Sequence, residues 1–174
     1  MKKLFFAFMV TMSLNAISQE NSNQFIIKHC KDKMTDKEYY LAEYKLIGAN
    51  AEKTKGFTIT PNFESKNGTI VNNGFICKNV NIGNCDENDS LIFLFEDDSK
   101  ITITQWNKFN CQGNAYFNLT DNEFKQLSTK KVSAIRFTNG STYESLTYSL
   151  EDAEKDYFIR VYTNYKIVEI DCSK

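Results

Sequence analysis

The sequence predicts a mainly β fold of the α+β class: an antiparallel β sandwich or open barrel, with a short helix near residues 121–128 and a helix at the C-terminus. Three observations carry this. From Phe25 onward, apolar or β-branched runs of strand length recur between clusters of Asn, Asp, Gly and Ser, the punctuation of short antiparallel strands. Asn-Gly, suited to tight hairpins because both turn positions need positive φ, occurs at Asn67-Gly68, Asn73-Gly74 and Asn139-Gly140. Two later segments instead repeat apolar residues at helical spacing behind a residue that can cap.

Taken in order, residues 25–30 read as a strand. Residues 38–46 do too: Thr35 and Glu38 have the spacing of a capping box, but Tyr40, Ala42, Tyr44 and Leu46 alternate, and paired tyrosines suit a pleated surface. Folding about Asn67-Gly68 sets Ile59 opposite Ile76 and joins residues 56–63 to 69–77; only one of the pairs at 67 and 73 need be a hairpin turn. Residues 91–95 and 101–106 form a hairpin across the acidic turn at 96–100. Pairing about Asp98 places Phe95 opposite Ile101, Phe93 opposite Ile103 and Leu91 opposite Gln105. The first of these strands is apolar on both faces, which suits a central position. Folding about Asn139-Gly140 pairs residues 132–138 with 142–149.

Thr120 caps the short helix, with Asp121 and Glu123 at the positive end of its dipole. Ser149, with Asp152 three residues on, opens the C-terminal helix, along which Phe158, Val161, Tyr162, Tyr165 and Val168 recur. A strand is the alternative there, because residues 157–170 are rich in β-formers.

The first 18 residues have the parts of a cleavable signal peptide: Lys2 and Lys3, an apolar run from Leu4 to Met12, and small residues at Ala16 and Ser18. Cleavage after Ser18 predicts a secreted or periplasmic product. The run is too short to span a bilayer and no Cys stands near the cleavage point to take a lipid, so no membrane anchor is expected. Residues 19–24 read as a disordered N-terminus and 25–174 as one β-rich domain. Removing residues 1–18 moves the balance of basic against acidic side chains from 21:22 to 19:22, a net of −3. With Lys130 and Lys131 the one pronounced basic cluster, nucleic acid is not expected as a partner.

Five cysteines in an exported chain read first as a disulfide framework. The register about Asp98 sets Cys85 and Cys111 at equal distances from the turn, which predicts a bridge contributing about 3 to 4 kcal/mol. One further bridge can form among Cys30, Cys77 and Cys172, leaving one thiol. His29 adjoins Cys30, but strand neighbours point to opposite faces and cannot share a proton. No cysteine pair has the close spacing of a structural zinc site, no acidic cluster has the spacing of a calcium loop, and no nucleophile or phosphate-loop motif occurs. No catalytic residue, metal or cofactor is therefore assigned. Trp106 and Tyr116 could form a surface aromatic patch, although aromatics of a small sandwich more often build its core and border.

These readings point to a non-catalytic binding or interaction module outside the cytoplasm, with a protein or glycan as ligand. The alternatives are a small secreted hydrolase whose acids converge only in the fold, and a structural or stress-related envelope protein.

Overall fold

A computed structural model describes residues 24–66, 69–83, 88–105 and 114–172, with side chains 64–73 set aside. The predicted signal segment, residues 1–18, and Cys85, Cys111 and Trp106 lie outside the described residues.

The fold is mainly β, as the strand-length runs and turn residues predict. Two four-stranded antiparallel sheets face each other. One has the order β3(Leu46–Ala49), β4(Gly56–Lys66), β5(Thr69–Val80), β8(Asn114–Asn118). The other has the order β10(Ser145–Ser149), β9(Val132–Thr138), β6(Ser90–Phe95), β7(Lys100–Thr104). The inward residues of alternating strands meet between them: the ring of Phe57 stacks on Phe137 at 6.1 Å, and Phe75 lies 5.8 Å from Phe93. A third sheet has the order β11(Tyr165–Glu169), β1(Phe25–Lys31), β2(Glu38–Ala42), with β11 parallel and β2 antiparallel to β1. The run 38–46 is thus extended, as its alternation indicates, but it breaks after Ala42 and its end joins a different sheet.

Helix α1(Asp121–Thr129) begins as its sequence dictates. The Thr120 hydroxyl accepts from Glu123 N at 3.3 Å, and Thr120 N donates to the Glu123 carboxylate at 2.7 Å, which satisfies two otherwise orphaned amides. Thr120→Ala is expected to cost about 1 kcal/mol, measured as a shift of the urea midpoint at unchanged slope. The C-terminal helix is present but short. Helix α2(Tyr157–Thr163) follows Asp156, whose side chain makes no cap bond, and the chain then extends as β11, so both readings of residues 157–170 hold in succession. Phe158 stands edge-on to Phe93 at 5.2 Å and Phe75 at 5.5 Å, closing the space between the two large sheets.

Three registers differ from the sequence expectation, each through turn chemistry. β4 and β5 pair from Lys66↔Thr69 as expected, but an irregularity between Asn62 and Phe63 leaves Asn73 extra, so Ile59 faces Cys77. Asn73-Gly74 is therefore a bulge, not a turn. Gly74 is required there because a Cβ would stand 1.7 Å from Phe117 O on the neighbouring strand. In the acidic hairpin Phe93 faces Ile101 and Leu91 faces Ile103, a slip of two residues. The turn closes from Phe95 N to Ser99 O at 2.9 Å, with Asp98 at φ 62°, a conformation that Asp tolerates. Asp97 joins Lys130 at 2.7 Å, and that bond with those to Ser99 holds its carboxyl down at about 2. An even slip keeps the buried face buried, and β6 is indeed a central strand between β9 and β7.

The Asn139 turn widens to six residues, so that Thr138 faces Ser145. Its cause is a buried polar knot: Asp89 Oδ1 accepts from Gly140 N at 2.9 Å and from Asn139 Nδ2 at 3.2 Å, while Asn139 Oδ1 accepts from Thr142 N at 2.9 Å. The Asn139 side chain is turned inward as a brace, where a two-residue hairpin would leave it in solvent.

Candidate functional site

Three features have the composition of a site: a histidine cluster on β1, a groove beside the disulfide, and a groove at the edge of β3.

His29 pairs with Tyr40 on β2 and with Glu169 on β11. Its Nδ1 stands 2.7 and 2.9 Å from the two Glu169 carboxylate oxygens, so this nitrogen donates. The ring stacks on Tyr40 at 4.6 Å, and the Tyr40 hydroxyl donates to Glu38 at 2.8 Å. The remaining nitrogen, Nε2, is buried without a hydrogen bond, 3.8 Å from Glu38. A base needs its lone pair open to a substrate proton, and here that atom is covered. The neighbouring cysteine points to the opposite face, as the strand period requires. This cluster clamps three strands together.

Cys30 is bridged to Cys172, which resolves the pairing that the sequence left open among Cys30, Cys77 and Cys172. Cys77 is free and wholly buried, with burial and then the Asp89 charge pushing its thiol up, which keeps it unreactive. The register on which the Cys85–Cys111 pairing rested is displaced by two residues, and both cysteines lie outside the described residues. Beside the Cys30–Cys172 bridge, Lys31, Asp32, Lys33, Met34, Tyr39 and Leu41 frame an open groove of about 660 Å³. Acidic and basic groups are mixed along it. Tyr116, proposed with Trp106 as a surface patch, sits half-buried on β8 opposite Ile76.

The third feature has a simpler chemistry. A groove of about 580 Å³ runs at β3, lined by Ile47 and Ala49 from that strand, Gly56 and Thr58 from β4, Val80 from β5 and Tyr148 from β10. Ile47 and Val80 are 54% and 52% exposed, although apolar. Two of its lining residues, Gly48 and Gly56, are glycines because the sheet is closely packed at both positions. A Cβ on Gly48 would stand 2.7 Å from the Phe57 ring, which lies over it. At one end the loop 50–55 is braced by Asn50, whose side chain accepts from Lys55 N at 2.8 Å and donates to Thr54 at 3.0 Å. Tyr148 donates to Glu154 at 2.8 Å; burial and that carboxylate push its phenol up to about 12, so it stays neutral at physiological pH. Lys53 and Lys55 are the only charged residues in the lining.

Sequence reasoning passed over this groove because its residues are small and aliphatic and carry no motif. The nearest local signal is Gly48 within β3 and Gly56 at the start of β4, since glycine is otherwise disfavoured in strands. Among the described residues no three metal-ligating side chains converge, and no helix is long and apolar enough to cross a membrane. No family model, curated protein or solved structure matches the chain.

Proposed function

We propose that this chain is an exported, non-catalytic interaction module that takes a protein or peptide segment in the groove at β3. The observation that carries the reading is an aliphatic groove, bordered by lysines, whose apolar walls Ile47 and Val80 remain in water. Exposed apolar surface gathered into a concave strip marks a place where another surface is buried. Its lining favours a polypeptide over a glycan: sugar sites present flat aromatic faces, whereas here Phe57 is buried in the core and Tyr148 has its hydroxyl committed to Glu154. The Cys30–Cys172 bridge is compatible with a periplasmic or extracellular setting, where disulfides persist.

The test is a parallel screen of the purified domain against a displayed peptide library and a glycan array, followed by amide chemical-shift mapping of any hit. Peptide hits that perturb Ile47, Ala49, Val80 and Tyr148, and that are lost in Val80→Asp, are expected. Hits confined to glycans, or peptides mapping elsewhere, would overturn the reading.

A further inference from the structure

The open edge of β3 adds a backbone feature to the groove's walls. β3 is the end strand of its sheet, bonded to β4 alone among the described strands. The loop bond from Asn50 N to Lys55 O, at 3.0 Å, sets the phase of that pairing. In an antiparallel ladder, hydrogen-bonded and non-bonded pairs alternate, so Gly48 exchanges bonds with Phe57, while Ile47 and Ala49 stand opposite Thr58 and Gly56 without doing so. The amides and carbonyls of Ile47 and Ala49 therefore project outward along the free edge of the strand whose two residues also line the groove.

The charged side chains in the lining beside this row are basic, with Glu52 next to them accepting from Asn50 Nδ2 at 2.8 Å. Lys53 and Lys55 are in the lining and Lys45 immediately precedes the strand, with no carboxylate in the lining. Lys55 is committed to Glu144, whereas among the described residues neither Lys45 nor Lys53 carries an ion pair. Lys53 stands in the braced loop, at φ 55°, and is exposed near the end of the strand beside Asn50.

We infer that the groove binds an extended, acidic peptide by strand addition. The ligand backbone bonds to Ile47 and Ala49, alternate apolar side chains lie against the side chains of Ile47 and Ala49 on the same face of the sheet, and a carboxylate at the end beside Asn50 faces Lys53. Strand addition obtains affinity from main-chain bonds and selectivity from what lies beside them. This rests on the groove's being the binding surface.

The test uses a fluorescein-labelled hexapeptide of alternating valine and threonine ended by two aspartates, the same peptide N-methylated at its four central amides, and a version ended by two serines, all read by fluorescence anisotropy. The parent is expected to bind, and N-methylation to weaken it about tenfold or more, the equivalent of at least one lost hydrogen bond. Ala49→Pro removes one outward amide without removing a ladder bond, and is expected to weaken the parent by about the same factor. Lys53→Gln is expected to weaken the aspartate peptide severalfold and leave the serine peptide unchanged. An N-methylated peptide that binds as tightly as its parent would overturn strand addition while leaving the groove a peptide site. Equal affinity of Lys53→Gln for the aspartate peptide would overturn the acidic preference. Concentration-dependent self-association abolished by Ala49→Pro would make a second copy of this chain the occupant. Absence of binding by all three peptides at millimolar concentration would overturn the inference outright, whatever the library screen selects.

Discussion

Replacing both Cys30 and Cys172 with Ser is expected to lower the unfolding free energy by about 4 to 5 kcal/mol. The bridge spans a sequence separation of 142 residues, so in the unfolded chain it closes nearly the whole domain into a ring, and the entropy it removes grows with ring size. A loss of that size is a large share of the roughly 5 to 15 kcal/mol available to a domain. Urea unfolding of the wild type with and without reductant, beside the double variant, measures it. The reduced wild type should match the variant, and both should unfold well before the oxidised protein. A difference below about 1 kcal/mol would mean that the reduced unfolded chain is already compact. The position of the loss is also defined. Cys172 lies three residues beyond β11, so amide exchange in the β1–β11 ladder should rise more than in β6 or β9.

Phe158→Ala is expected to cost about 3 to 5 kcal/mol. The ring is wholly buried and meets three others edge to face, Phe75, Phe93 and Tyr157. Truncation thus leaves a cavity bounded by two sheets and a helix, none of which can collapse into it without breaking its own ladder. Phe124→Ala is the control, since that ring packs between α1 and α2 against Tyr162 and is 37% exposed; it should cost less than half as much. Equilibrium unfolding followed by circular dichroism and by tyrosine fluorescence separates the two. Equal losses would place the centre of the core elsewhere.

Where periodicity and burial act together, structure is legible from residues alone. Phe93 and Leu91 fall on the buried face of β6 whichever even register the hairpin takes, and Thr120 with Glu123 specifies the start of α1 without help from the rest of the chain. What escaped was set by side chains acting at a distance. Asn139 looks like a turn residue until Asp89, 50 positions earlier, receives its amide. Asn73-Gly74 looks like a second turn until β8 approaches so closely that no side chain fits. The β3 groove was illegible for a related reason: its walls, Ile47 on β3 and Val80 on β5, come together only through the pairing of three strands. The histidine was correctly separated from its cysteine neighbour by strand alternation, but nothing local indicates that Glu169 would reach it from the far end of the chain.

The parallel pairing of β1 with β11 also sets an order of events. Ribosomal synthesis delivers β1 first and β11 last, with every other strand between them. The hairpins of the two large sheets join near neighbours in sequence and can close as they emerge, whereas β1 gains its parallel partner only when the chain has been made through Glu169, and its covalent tie only at Cys172. The small sheet is therefore the last to close: a chain stopped before Tyr165 leaves one edge of β1 without its parallel partner and Cys30 without Cys172 to pair with.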